Sequence, residues 1–210
     1  KRNSIFFALK GKNFNGNKFA ENALRDGCSF AIIDEKEYAR NNQSIRVNDV
    51  LQTLQQLAQY HREQLKIPII GITGTNGKTT SKELINCMLS QNFNVTITKG
   101  NLNNHIGVPL TLLSIKQEDE IAIIEMGANH KGEIAFLCTL AQPNFGIITN
   151  IGKAHLEGFS NFHGVIKAKS ELYDYIRGKS GTIFINENDD VLLNISEGIQ
   201  KITYGKNGDA

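Results

Sequence analysis

Tryptophan is absent from the 210 residues, and methionine, proline and cysteine are scarce, at two, three and three. Cys28, Cys87 and Cys138 are odd in number, far apart and without a C-x-x-C pair, which argues against both a disulfide framework and a zinc site. A reducing, cytoplasmic setting fits that usage. No apolar run approaches the ~18 residues that a membrane-spanning helix needs, and no signal-peptide pattern is present, so no membrane association is expected. Charge of neither sign dominates: the formal net charge is +2. Without a basic cluster interleaved with aromatics, nucleic acid is not an expected partner. The N-x-S/T triplets at Asn42, Asn94 and Asn194 belong to a pattern short enough to arise by chance.

What is present is ordinary for a globular chain, 40% hydrophobic and 21% charged, enough to bury a core in one large domain or two small ones. Residues 1–49 alternate β-like runs, 4–9 and 30–33, with a Gly/Asn loop and a helical stretch over 19–25. Apolar residues at 50, 51, 54, 57, 58 and 65 predict an amphipathic helix. Pro68 then marks a domain boundary, dividing the chain into 1–66 and 67–210. From Ile67 onward the pattern is regular, with strands expected at 67–72, 95–98, 121–125, 145–150, 182–186 and 202–204 and helical patterns between most of them. The fold class expected is α/β: a small N-terminal α/β domain followed by a doubly wound, mostly parallel sheet domain.

The chemistry concentrates in Gly71-Ile72-Thr73-Gly74-Thr75-Asn76-Gly77-Lys78-Thr79-Thr80. This run follows a strand-like segment and precedes a helical pattern over 81–89, the strand–loop–helix order of a phosphate-binding loop, and identifies an ATP user. Gly74 and Gly77 let backbone N–H groups approach phosphate oxygens, the helix N-terminus adds positive potential, and Lys78 supplies a mobile charge. Thr79 is placed to ligate Mg²⁺. A generic phosphate loop would have its first glycine at position 72, where this chain has Ile.

Ligands of open parallel sheets bind beyond the carboxyl ends of the strands. Glu125 ends the run 121–124, and His155 lies a short loop beyond 146–151, so both are expected on the edge that carries the loop. A carboxylate and an imidazole there could share Mg²⁺ with phosphate oxygens and Thr79. Singly, Glu125 could be a solvated strand end and His155 an ordinary loop histidine.

The variant Gly-Thr-Asn-Gly-Lys-Thr-Thr resembles the loop of the Mur ligase family, and folylpolyglutamate synthases carry a similar one. Glu125-Met126-Gly127-Ala128-Asn129 with Lys131-Gly132-Glu133-Ile134, and 149–159 (Thr-Asn-Ile-Gly-Lys-Ala-His-Leu-Glu-Gly-Phe), resemble the branch that joins D-alanyl-D-alanine to UDP-N-acetylmuramoyl-tripeptide. Asn101-Leu102-Asn103-Asn104-His105-Ile106-Gly107-Val108-Pro109 is similar to that branch's segment facing the nucleotide-sugar peptide, which implies substrate contacts at Asn103, Asn104 and His105. The resemblance implies that Gly74, Thr75, Asn76, Gly77, Lys78, Thr79 and Thr80 bind ATP, that Thr79 and Glu125 ligate one Mg²⁺, and that His155 helps hold a second. It also implies a lysine carbamylated by CO₂, whose motif Ala-Lys-Gly-Glu matches Ala168-Lys169-Ser170-Glu171 with Ser in place of Gly. Lys167 is near in sequence, but two helical steps turn it about 200° away, so only one of the two can face the site; Lys169 is the expected one. Lys78, Lys169 and His155 are the catalytic set.

On this resemblance residues 1–66 are a UDP-sugar-binding domain and 67–210 the central ATP-binding domain of a monomeric ligase. The chain opens on Lys, and the family's Ser/Asp-Arg signature, adenine contacts and C-terminal dipeptide-binding domain are not in it. It is therefore expected to be a piece that does not ligate alone. A sister Mur ligase or folylpolyglutamate synthase adding a single amino acid, a non-catalytic nucleotide-binding module, and a phosphate-loop NTPase acting as a switch or motor stay open at this point.

Overall fold

The computed structural model describes residues 2–152 and 161–206, so His155 lies outside the described residues. The chain divides into two compact units, Lys1–Leu57 and Ala58–Ala210. That division falls inside helix α2 (Val50–Gln64), short of the boundary expected from Pro68. The second half of α2 is tied to the later residues: Ala58 joins the core around Ile69, and Arg62 Nε donates to Ala141 O at 2.8 Å.

The first unit holds β1 (Ile5–Phe7), β2 (Lys10–Gly11), β3 (Phe14–Asn15), α1 (Ala20–Arg25), β4 (Phe30–Ile33) and β5 (Ser44–Arg46). Strands β1, β4 and β5 form a parallel sheet in that order, with Ile5 opposite Phe30 and Ala31 opposite Ser44. β2 and β3 make a two-residue-wide antiparallel hairpin. The hairpin strands and β5 are two or three residues long, too short to show a period, which is why sequence pattern alone does not show them. Ala8, Ala20, Ala31 and Ile33 form a small core. Beside it the buried Asn17 amide donates to Asp34 Oδ1 at 2.8 Å and accepts from Asp34 N at 3.1 Å.

The second unit runs β6 (Ile69–Thr73), α3 (Lys78–Leu89), β7 (Val95–Ile97), α4 (Gly107–Leu112), β8 (Ile121–Glu125), α5 (Glu133–Ala141), β9 (Phe145–Ile148), α6 (Phe162–Gly178), β10 (Thr182–Asn186), α7 (Asp190–Ile195) and β11 (Gln200–Tyr204). The strand order is β11-β10-β9-β6-β8-β7, and every pairing among the described residues is parallel. The expected α/β class and parallel sheet are therefore present. β6 is first in sequence but central in space, with β8 on one side and β9 on the other. At such a switch point the loops leaving neighbouring strands diverge and open a crevice.

Both faces of the sheet are covered, as the two-residue side-chain period of a strand requires. Ile72, Ile123 and Ile147 pack on one face with Ile85 and Leu89 of α3. Ile69, Ala122 and Ile124 pack on the other with Leu137 of α5 and Leu172 of α6. Helix α3 starts at Lys78, three residues before the apolar pattern begins, because Gly77 at φ 78° lets the chain turn straight from the loop into the first helical turn.

Candidate active site

The phosphate-type loop is built by its neighbours as much as by its own residues. Gly74 sits at φ 146°, and a Cβ there would fall 2.0 Å from Thr149 Oγ1, so no other residue fits between β6 and the loop after β9. Asn150 grips the loop three times: its carbonyl accepts from Thr75 N at 3.0 Å, its Oδ1 accepts from Asn76 N at 3.1 Å, and its Nδ2 donates to Asn76 O at 2.9 Å. Thr149 Oγ1 also donates to Asn76 O at 2.6 Å, and Gly152 N donates to Thr75 Oγ1 at 2.9 Å. Asn76, Gly77, Thr79 and Thr80 are exposed at the crest. The N–H groups of the first turn of α3 have no partner within the helix and are available to an anion.

Lys78 folds back over the loop, its Nζ donating to Gly74 O at 2.9 Å and Thr75 O at 3.2 Å. Burial holds its pKa below the ordinary lysine value, and the charge of Glu125 offsets part of that.

Glu125, at the end of β8, is 1% exposed and anchored on both oxygens. Thr79 Oγ1 donates to Oε2 at 2.9 Å, and Asn103 Nδ2 donates to Oε1 at 2.8 Å. Its backbone N–H donates to Thr98 Oγ1 at 2.9 Å. The structure thus brings Thr79 and Glu125 together across 46 residues of sequence. Asn104 serves differently: its Oδ1 accepts from Ile106 N at 3.0 Å and Gly107 N at 2.9 Å, capping α4.

Lys78, Asn103, Asn104 and His105 line one cleft of about 710 Å³ with Gly74, Thr75 and Lys169. The lining continues through Gly127, Ala128, Asn129, Lys131 and Gly132 to Phe136, Leu137 and Val165. That volume suits a small-molecule site. Lys169 is 3% exposed and Lys167 points to solvent, so α6 turns one of the pair inward, as the helical spacing requires. Burial, then the positive charge of Lys78, lowers the Lys169 pKa to about 8, with Glu133 and Glu171 pulling the other way.

Two site residues escape the sequence reading. Lys82 is fully buried; its Nζ donates to Thr98 O at 2.6 Å, pairs with Glu83 Oε1 at 3.1 Å and stands 3.9 Å from Glu125 Oε2. The available signal is spacing: Lys82 follows Lys78 by one turn, on the stripe that continues through Ile85 and Leu89 into the core. Glu133 is the other. Burial alone would raise its pKa, but the N–H groups of Asn129 (2.6 Å) and His130 (3.0 Å) hold the carboxyl below its ordinary value.

Residues 72–210 match the family model of the Mur ligase middle domain. The UDP-N-acetylmuramoyl-tripeptide–D-alanyl-D-alanine ligase of Bacillus subtilis is 39% identical over 97% of this chain and 45% of its own length. The Escherichia coli protein of that name is 38% identical over 90% of this chain and 41% of its own. Among solved structures, MurF from Acinetobacter baumannii superposes with a TM-score of 0.87 at 37% identity, over 99% of this chain and 47% of that one. MurF ligase from Thermotoga maritima in complex with ADP superposes with a TM-score of 0.87 at 31% identity, over 100% of this chain and 49% of that one. The chain spans less than half the length of each of these relatives. With one match reaching from the phosphate loop through Glu125 and past Lys169, the chain belongs to the Mur ligase family.

Proposed function

We propose that the protein carrying this chain is an ATP-dependent amide ligase of peptidoglycan precursor synthesis, joining D-alanyl-D-alanine to UDP-N-acetylmuramoyl-tripeptide through an acyl phosphate. One observation carries the reading: Lys78 and the buried Lys169 line one cleft with Asn103, whose side-chain amide holds Glu125 beside Thr79. The names of the relatives support the substrates, and the ADP complex of the Thermotoga maritima protein supports the nucleotide. Among the described residues no helix is long and apolar enough to cross a membrane. On the same proposal the enzyme is a cytoplasmic monomer without a nucleic-acid or membrane partner.

Gly74 to Thr80 would wrap the ATP phosphates, with N–H groups at the start of α3 and the Lys78 ammonium as donors. The donor set fits Mg²⁺: Thr79 Oγ1 and Glu125 Oε2 are hard oxygens 2.9 Å apart. Mg²⁺ usually takes one or two protein ligands and completes its shell with phosphate oxygens and water. Thr79 and Glu125 would hold one ion, and His155 is proposed for a second. Bound there, Mg²⁺ would neutralise phosphate charge during transfer.

In the reaction the γ-phosphoryl group passes to the terminal carboxylate of the tripeptide, leaving ADP. The amine of the dipeptide attacks the acyl carbon, the amide forms, and phosphate and a proton depart. Lys78 exchanges its bonds to Gly74 O and Thr75 O for phosphate oxygens and follows the developing charge. Asn103, Asn104 and His105 line the same cleft and would contact the sugar peptide from there. A Lys169 amine with a pKa of about 8 is neutral in a useful fraction near pH 7.5. The neutral amine and CO₂ give a carbamate and a proton, turning the repulsion between Lys169 and Lys78 into attraction.

The test is phosphate release by the full-length protein with Mg-ATP and UDP-N-acetylmuramoyl-tripeptide, with D-alanyl-D-alanine or single amino acids. Release that requires the dipeptide supports the reading. Release with a single amino acid makes the protein a sister ligase, and release without an amine substrate makes it a simple NTPase. No release under any condition makes it a non-catalytic module.

A further inference from the structure

Glu171 is the one charged member of the Ala168–Glu171 motif to which the proposed chemistry gives no task, and it lies two residues beyond Lys169 on α6. At about 100° per residue the two side chains leave the helix in different directions. Lys169 enters the cleft, whereas the Glu171 carboxylate reaches the start of α5. There Oε1 accepts from Gly132 N at 2.6 Å and Oε2 accepts from Ala135 N at 2.9 Å. Helix α5 has no side-chain cap of its own, since its N-cap position is Gly132. The missing cap comes from another helix, and a full negative charge at that end also meets the positive pole of the helix dipole.

The packing beneath constrains the two helices without any directional contact. Val165, Ala168 and Leu172 of α6 share one apolar core with Ile134 and Leu137 of α5, and such contacts are non-directional. Two charge-assisted hydrogen bonds from one carboxylate are directional. The segment they stiffen, 127–132, lines the same cleft as Lys169.

We propose that Glu171 is a positioning residue: its carboxylate clamps α6 to the first turn of α5 and thereby sets where Lys169 stands relative to the 127–132 segment. The consequence for turnover rests on the ligase reading above; the clamp itself does not.

The experiment compares the full-length protein with Glu171→Gln, in which one oxygen remains as acceptor and an NH₂ group confronts the second N–H. Lysines are pulse-labelled with an acetylating reagent in CO₂-depleted buffer, and each site is followed by mass spectrometry. Lys82, also buried but on α3 across the sheet, is the internal control. The clamp predicts that Lys169 labelling rises about tenfold while Lys82 labelling stays constant, because only local opening is released. Turnover then falls in kcat with the KM for ATP unchanged. Ala135→Pro removes one donor from the other side of the contact, in a helical turn that tolerates the ring, and must shift Lys169 the same way. This second variant decides the matter if Glu171→Gln fails to fold. A parallel rise at Lys82 would make Glu171 a general stabiliser, and unchanged Lys169 labelling would remove the clamp; either result overturns the proposal. Selective labelling in a protein without ligase turnover would keep the clamp and remove only the ligase reading.

Discussion

The Thr79 hydroxyl donates to Glu125 Oε2 at 2.9 Å, joining the first turn of α3 to the last residue of β8. A buried carboxylate stripped of a donor keeps its desolvation cost, about 1.5–3 kcal/mol for a bond to a charged group. Thr79→Val is therefore expected to destabilise the fold by that order and to lower phosphate release about a hundredfold. Raising Mg²⁺ should recover part of the rate. A rate and Mg²⁺ dependence like those of the unsubstituted protein would show that the pair is only structural.

Lys78 makes its described hydrogen bonds to two carbonyls of its own loop, Gly74 O and Thr75 O. Lys78→Ala is expected to change stability by about 1 kcal/mol or less while reducing turnover by two to three orders of magnitude, roughly. Thermal melts paired with the phosphate-release assay separate the two quantities, and a rate loss matched by an equal loss of folded protein would count against a phosphate role.

For Lys82 the expectation is reversed, because its ammonium is fully buried against Thr98 O and Glu83. Lys82→Met leaves the Thr98 carbonyl without that donor and Glu125 without its nearby cation at 3.9 Å. The loss should be about 3–5 kcal/mol, visible as a lower denaturant midpoint at unchanged m. A midpoint within error of the parent would mean that solvent reaches the site.

Lys169 makes stability depend on pH with a definite sign. Its pKa is lowered from 10.5 to about 8 in the folded chain. Between those values the unfolded chain holds a proton that the folded chain has released, so stability contributed by this group rises as pH increases through that window. Measured against Lys169→Met in CO₂-depleted buffer, to cancel the buried Cys138 and tyrosines, the parent should gain on the order of 3 kcal/mol between about pH 8 and 10.5. A flat difference would place the amine in solvent.

The strands β8 and β10 and the loop at 74–77 are legible because each announces itself locally, as an apolar run ending in a polar residue or as glycines ahead of Lys-Thr. Helical spacing says that only one of Lys167 and Lys169 can turn inward, and the Ala168–Glu171 motif names Lys169, the one that is buried. The very short strands β2, β3 and β5 are held by backbone pairing with neighbours that no local pattern names. Asn150 and Glu171 act across 74 and 39 residues, so their roles appear only once β9 lies beside β6 and α6 beside α5. The division inside α2 rather than at Pro68 has a similar cause. A helix has one continuous apolar face, and only its tertiary neighbours decide which part belongs to which core.

The grip of Asn150 on Thr75 and Asn76 sets an order of events during synthesis. β6 is the first strand of its sheet to leave the ribosome, but its hydrogen-bonded neighbours β8 and β9 emerge some fifty and seventy-five residues later. Until residue 152 is out, the loop at Thr75 lacks the carbonyl, the amide and the N–H that hold its shape. Contacts of this separation close late and slowly. A nascent chain arrested before that point carries every residue of the phosphate loop and should still fail to retain nucleotide, whereas one arrested well beyond it should bind.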